Sequence, residues 1–252
     1  MIKRYTFSLV TLLSLYTAIS QDFGKVLFYS GVGINLPLGE VGSKDFSKPG
    51  GMANPGFKSD LLFIEYQFEN GFGVGLKSSI AINSVDNKRI EEFLISSGAE
   101  SAKARVKSWR YGDFTIQGSR ALYQSYYQLL NFSLGVGQAF VSKPKESYNA
   151  VYSDGSIENT YEYDGHYQRT IAANSSLSYW IKVTQFFCLI GTIDYTHIPF
   201  RASYSTMTEN ANNSITVNGN EIPSNYQLPV ERDSRPFTIY GLSAGIKLGF
   251  SF

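Results

Sequence analysis

The chain has 252 residues, and its 22 Lys and Arg side chains are nearly balanced by 21 Asp and Glu side chains. This balance argues against nucleic acid as a partner, because there is no basic excess to neutralise phosphates. The single cysteine, Cys188, excludes an internal disulfide and a zinc site built on paired cysteines. High counts of Tyr (18), Phe (18) and Gly (23) occur with a slightly negative mean hydropathy of -0.14. That combination is typical of alternating β-strands rather than of helical membrane spans.

A cleavable export signal is predicted at the N-terminus. It begins with the basic pair Lys3 and Arg4, continues with a short apolar run, and ends with small residues at the cleavage positions. The apolar run is too short for a good membrane span, which disfavours the alternative of an N-terminal anchor. We therefore expect a signal peptide over residues 1–20 and an exported domain over residues 21–252.

After the signal, apolar residues alternate with small or polar ones, which is the pattern of strands with two different faces. The first strand is expected at residues 25–38, and a Gly- and Pro-rich loop follows it at residues 39–57. The second strand is expected at residues 58–69 and ends at the Asn70-Gly71 hairpin turn, since Asn-Gly tolerates positive φ. Its outward face is predicted to be Leu62, Ile64, Tyr66 and Phe68, and its inward face Leu61, Phe63, Glu65 and Gln67.

The third strand, residues 72–83, alternates without interruption. A long polar segment follows at residues 84–108, and within it residues 89–97 have a weak helical pattern. The fourth and fifth strands are expected at residues 109–119 and 126–141, with a short turn between them.

The second half of the chain repeats this arrangement. Residues 143–164 are predicted to be a polar loop, and the sixth and seventh strands are expected at residues 167–182 and 186–201. The longest polar segment, residues 203–235, leads into the last strand, residues 236–252. That strand has one mostly large, apolar face, which continues to the final residue.

The connections between these strands alternate between long and short, as they do in barrels of the bacterial outer membrane. In hydrocarbon every backbone N–H and C=O needs an internal partner, so the last strand must pair with the first. The predicted fold is all-β: an eight-stranded antiparallel up-and-down transmembrane β-barrel with four long outer loops and short periplasmic turns. The predicted location is the outer membrane.

Eight strands enclose only enough room for side chains. The predicted interior is small and polar, with five charged residues: Glu65, Lys77, Asp113, Asp194 and Lys247. Buried charges must be paired, so we expect a polar network that plugs the barrel. Interfacial aromatic girdles are a second expectation, and the candidate residues are Trp109, Tyr111, Trp180, Tyr195 and Phe200.

The last strand also carries a family resemblance. Its outward face includes Tyr240, Leu248, Phe250 and the terminal Phe252. With an export signal and eight alternating strands, the chain resembles the small outer-membrane β-barrel families. Its composition, rich in Asn, Tyr, Lys and Ile, is similar to that of the PorT-like or OmpA-like barrel domains of Bacteroidota. The resemblance implies that these four residues form the signal read by the barrel-assembly machinery. It fixes no function, because members include adhesins, secretion-apparatus parts and lipid enzymes.

Two histidines, His166 and His197, lie near the outer ends of their predicted strands. In a catalytic triad, their candidate partners would be Asp164, Asp194, Ser203 and Ser205. The spacing does not require a triad and no nucleophile elbow is present, so we expect both histidines to be interfacial polar residues. Two histidines and one cysteine also make a transition-metal site improbable. No catalytic residue, metal or cofactor is predicted.

The sequence therefore favours a non-enzymatic barrel whose outer loops bind a surface ligand or an envelope protein. Membrane lipid and the barrel-assembly machinery are its other expected partners. Two alternatives stay open: a membrane-embedded lipid hydrolase, acyltransferase or protease using His166 or His197, and a narrow channel or component of a secretion complex.

Overall fold

The structure is a computed structural model, and the expected signal peptide, Asp164 and His166 lie outside the residues that it describes. The described residues are 23–44, 51–142, 144, 146–153, 157–163, 168–210, 215–217, 220–222 and 233–252.

Most described residues lie in β-strands. In chain order the strands are β1 (Val26–Leu38), β2 (Gly56–Gln67), β3 (Phe72–Asn83), β4 (Ala99–Ala104), β5 (Trp109–Gln124), β6 (Gln128–Ser142), β7 (Glu146–Tyr152), β8 (Ile157–Tyr163), β9 (Gln168–Lys182), β10 (Phe187–Asn210), β11 (Ile215–Val217), β12 (Asn220–Ile222) and β13 (Asp233–Ser251). Two helices interrupt them: α1 (Gly39–Gly42) and α2 (Asn87–Ser96). In the described part of the chain, neither helix has the length and apolar character needed to cross a bilayer.

Eight of the strands form a closed antiparallel barrel, which confirms the predicted fold. Their order around the barrel is β13, β1, β2, β3, β5, β6, β9 and β10, and β13 pairs with both β1 and β10. Closure brings the backbones of β1 and β13 very close together at Gly33 and Gly245. A Cβ atom added to Gly33 would lie only 2.9 Å from the Gly245 Cα. Every barrel strand therefore has two hydrogen-bonded neighbours, as a membrane-spanning sheet requires.

Side chains alternate between the lumen and the outer wall, and the phase of this alternation changes within β2. A β-bulge between Asp60 and Leu62 leaves Leu61 and Leu62 both exposed, while Lys58 and Asp60 face the lumen. The prediction that Leu61 points inward was therefore wrong. A bulge places two residues opposite one, so the alternation changes phase there.

The outer wall is an apolar band with charged or aromatic borders. On β5, exposed Arg110 and half-buried Arg120 border a stretch whose outward side chains include Phe114 and Ile116. Ten residues of tilted strand correspond to about 26 Å along the barrel axis, close to the height of the apolar band in membrane barrels. An aromatic belt borders the band at the short-turn end, with exposed Phe68, Phe72, Tyr126, Tyr127, Phe186 and Phe252.

The loop end has more regular structure than the sequence indicated. β10 continues past the barrel and pairs with β8, which pairs with β7, which in turn pairs with β4. The prediction of irregular polar segments at residues 143–164 and 203–235 was wrong for their described parts. Ser, Asn, Thr and Glu dominate these strands and favoured a loop by composition, although their Tyr and β-branched residues supply β propensity. Helix α2 covers most of the predicted helix, and Asp86 caps its start by accepting a hydrogen bond from the Arg89 N–H.

Candidate functional site in the lumen and at the loop end

A layer of paired charges fills the middle of the lumen. Lys77 Nζ lies 2.6 Å from Asp194 Oδ1 and 3.8 Å from Asp60 Oδ2, and Lys58 Nζ lies 3.7 Å from Asp194 Oδ2. Lys247 donates to Asp60 as well. We call this set, together with Asp113, the charge layer. It contains three lysines and three aspartates, so it is formally neutral.

All five predicted interior charges are buried in the lumen, but the predicted set was incomplete. Glu65, Lys77, Asp113, Asp194 and Lys247 are each at most 5% exposed. Lys58 and Asp60 were missed because the bulge shifts their phase. The sequence nevertheless indicates the shift. Both residues are charged, yet they are even-numbered like the apolar residues Leu62 and Ile64, which face outward. Charges do not face hydrocarbon, so a change of phase had to occur between them.

Polar groups of the lumen outside the charge layer are also joined by hydrogen bonds. Glu65 Oε1 accepts from Asn131 Nδ2 at 2.9 Å and from Gln67 Nε2 at 3.3 Å. Asn174 Nδ2 donates to Thr115 Oγ1 at 3.0 Å, while its own Oδ1 accepts from Gln117. These contacts connect side chains from β2, β6, β5 and β9 across the interior. One set of contacts joins β2 to β6 and the other joins β5 to β9, so polar side chains from different strands meet inside the lumen.

Near the short turns the lumen is closed by four aromatic rings, Phe23, Tyr29, Phe63 and Trp180, which we call the aromatic seal. Tyr29 stacks on Phe63 with ring centroids 4.2 Å apart, and Phe23 meets Trp180 edge to face at 6.3 Å. Trp180 Nε1 donates to Ser178 Oγ at 3.0 Å. All four rings are at most 3% exposed, so this end of the interior excludes solvent.

At the opposite end, the first loop folds over the barrel opening. Val41 from α1 and Ala53 pack against Trp109, Tyr111 and Ile198, and we call this arrangement the loop-end cap. The Ala53 N–H donates to the Val41 carbonyl at 3.0 Å.

The first and second loops are also joined to each other. The Asp86 N–H donates to the Met52 carbonyl at 2.9 Å, and Met52 packs with Ile90, Ala104 and Val106 in a small separate core. The loops over this opening therefore have a folded interior of their own.

The girdle prediction was wrong for Trp109, Tyr111 and Trp180. All three point into the lumen and are at most 5% exposed. Alternation explains why, because Trp109 and Tyr111 share the parity of the inward residue Asp113. Of the other two candidates, Tyr195 lies on the outer wall with 39% exposure, and the structure does not describe the side chain of Phe200.

The catalytic alternative loses one of its candidate partners. His197 is half-buried on the outer wall beside Tyr240, with ring centroids 5.1 Å apart, while Asp194 points into the lumen. Three residues apart on one strand, they lie on opposite faces, so Asp194 cannot partner His197 in a triad. Ser203 and Ser205 belong to β10, but their side chains are not described. Within the described residues, no three His, Cys, Asp or Glu side chains are grouped to hold a metal.

The predicted assembly signal lies on the outer wall of β13. Leu248, Phe250 and Phe252 are 55%, 41% and 62% exposed, and Tyr240 is half-buried. The backbone of Phe252 exchanges hydrogen bonds with Val26, which joins the end of the chain to β1. Recognition by an assembly machinery stays a prediction.

Three proteins of known structure align with nearly the whole of this chain, each at low sequence identity. No family model matches the chain, and no curated protein matches it. Neisserial surface protein A aligns over 90% of this chain and 97% of its own, with 9% identity and a TM-score of 0.43. The outer membrane protein OprG from Pseudomonas aeruginosa aligns over 91% and 97%, with 11% identity and a TM-score of 0.47. The outer membrane protease OmpT from Escherichia coli aligns over 93% and 99%, with 10% identity and a TM-score of 0.38. Resemblance at this level concerns the fold and assigns no activity or partner.

Proposed function

We propose that this chain is a non-enzymatic outer-membrane barrel that presents its long loops as a folded platform for an envelope protein or surface ligand. The supporting observation is the backbone pairing from β10 through β8 and β7 to β4. This pairing joins three of the four loop-end connections to one another and to a barrel strand. A surface held in this way is positioned by a rigid scaffold, as binding loops commonly are.

The apolar wall and the closed ring of strands, together with the export signal expected from the sequence, support insertion in the outer membrane of a Gram-negative cell. In that orientation the short turns face the periplasm and the platform faces outward. Membership of the PorT-like or OmpA-like families of Bacteroidota belongs to this proposal as well.

The same proposal holds that the barrel does not conduct, because the charge layer, the aromatic seal and the loop-end cap occupy its interior. Purified full-length protein in planar lipid bilayers is expected to give no steady ionic current. A large, stable conductance from monodisperse protein would contradict the closed interior.

Removing the tip of the platform tests the binding role. Tyr204 and Asp233 form the last pair between β10 and β13, so residues 205–232 can be replaced by a short Gly-Asn turn that leaves the pairing of the two barrel strands intact. The variant is expected to keep the heat-modifiable migration of a folded barrel and to lose the partner that the full chain retains in pull-downs from native membranes.

The matched control changes the other end of the molecule. Replacing the exposed pair Tyr126 and Tyr127 with Ser alters the short-turn surface and leaves the platform intact. This variant is expected to retain the partner. If the variant lacking residues 205–232 retained the partner as well as the control does, the proposed binding role of the platform would be contradicted.

A further inference from the structure

The lumen carries charges of both signs, but the described outer wall carries no acidic side chain. Among the described side chains of the barrel strands, the acidic residues all face the lumen: Asp60, Glu65, Asp113 and Asp194. The charges of the outer wall on these strands are arginines: Arg110 and Arg169 are exposed, and Arg120 is half-buried. Lys182, at the end of β9, lies over the Phe23 ring at the mouth of the barrel. The described wall is therefore positive wherever it carries an exposed charge.

The three arginines differ in their surroundings. Arg120, at the short-turn border, donates to the Asn70 carbonyl and lies 4.4 Å over the Phe72 ring. Arg110 and Arg169 lie at the loop-end border. Arg110 pairs in register with Ser142 of β6, and Arg169 pairs with Phe140 two residues away on the same strand. Two strand spacings and a two-residue offset put the Cα atoms of these arginines about 12 Å apart.

The surface between these two arginines combines polar and apolar groups. The Arg169 guanidinium lies 5.7 Å from the centroid of the Phe140 ring. Gly112 pairs with Phe140 on the other side and contributes no side chain to the wall. Exposed Gln138 lies next to Phe140 on the outward face of β6. Further toward the membrane centre, Val136 is 64% exposed, so the polar groups border a purely apolar surface.

We propose that Arg110, Arg169 and Gln138 bind the headgroup of an anionic, phosphate-bearing membrane lipid, whose acyl chains lie on Val136 and the apolar wall beyond it. Guanidinium groups bind phosphate oxygens through paired N–H donors, and the long arginine side chains converge on one headgroup. Charge complementarity selects an anionic lipid, because no described carboxylate lies on the wall to compete for the arginines. The apolar surface below selects a lipid over a soluble phosphate.

Native mass spectrometry of the full-length protein tests this site. Protein released from detergent is incubated with phosphatidylglycerol or with phosphatidylcholine of the same acyl chains, and the retained lipid is counted. We expect the unmodified chain to prefer phosphatidylglycerol, and the Arg110→Gln, Arg169→Gln double variant to lose at least about tenfold of that preference, as expected from removing two charge-assisted contacts. Arg120→Gln is the matched control and is expected to keep it.

Two further measurements make the result decisive. Inorganic phosphate at equal concentration is expected not to displace phosphatidylglycerol; displacement would overturn the lipid assignment in favour of a simple anion site. Folding of each variant is checked by heat-modifiable migration, and if the double variant fails that check, the single Arg169→Gln variant replaces it with a smaller expected loss. Equal retention of both lipids by the unmodified chain, or unchanged preference in a folded arginine variant, would overturn the proposal.

Discussion

Ile193 and Asp194 are neighbours on β10 and experience opposite environments. The Ile193 side chain is 55% exposed on the outer wall, and the Asp194 side chain is 1% exposed inside the lumen. Ile193 needs no partner from the protein because hydrocarbon surrounds it. Asp194 is stable only because two lysines from other strands meet it. A wall residue therefore needs only an apolar side chain, whereas a charged lumen residue needs specific partners of opposite charge.

The largest expected effect comes from breaking the lumen's pairing. Asp194→Ala leaves Lys77 and Lys58 buried with less compensation, and such losses cost about 3–5 kcal/mol. Urea unfolding in lipid vesicles measures the change in free energy of unfolding. Asp194→Asn keeps the volume and a polar group, so its stability is expected to fall between that of the unmodified chain and that of Asp194→Ala. A change below about 1 kcal/mol for Asp194→Ala would contradict paired burial.

On the wall the expected penalty has another origin. Ile193→Arg puts a charge near the middle of the apolar band, where membrane barrels lose about 2–4 kcal/mol. The same unfolding measurement applies, with Ile193→Val as the control that keeps the surface apolar. If the arginine variant is as stable as the control, this position does not face hydrocarbon.

Within the aromatic seal a smaller change is expected. Trp180→Phe removes the donor that reaches Ser178 and keeps most of the ring packing, so the expected loss is about 1–2 kcal/mol. Tyr126→Phe, an exposed aromatic change at the same end of the barrel, serves as the control and is expected to be nearly neutral. Equal effects of the two changes would mean that the Trp180 hydrogen bond contributes little.

The smallest effect is expected for an ion pair in water. Lys25 Nζ lies 3.1 Å from Glu69 Oε1, but the two side chains are 49% and 85% exposed. Glu69→Ala should change stability by less than about 1 kcal/mol, and added salt should reduce the difference further. A loss comparable to that of Asp194→Ala would remove the distinction between buried and exposed pairs.

The barrel was predictable because one physical rule governs most of it. Alternation places Val74 and Leu76 outward and Lys77 inward, and the structure agrees. The rule failed at Leu61, where a bulge changes the phase. It was not applied to Trp109 and Trp180, whose parity already placed them inside.

The loop-end strands were not predictable from alternation. Their polar composition gives no apolar face, so their pairing depends on contacts between distant segments such as β8 with β10. The lumen network is similar in this respect. Single residues such as Lys77 could be assigned to it, but their partners depend on the register of several strands.

The central claim is that one set of alternate side chains on the barrel strands contacts lipid acyl chains, while the other set faces the lumen. Quenching of tryptophan fluorescence by brominated lipid tests this claim most directly. Both tryptophans of the chain, Trp109 and Trp180, lie in the lumen with at most 1% exposure. Their fluorescence in brominated phosphatidylcholine is expected to be weakly quenched. Leu134→Trp, at a wall position with 58% exposure, is expected to add a strongly quenched component. Strong quenching of the native tryptophans with an unquenched Trp at position 134 would contradict the account.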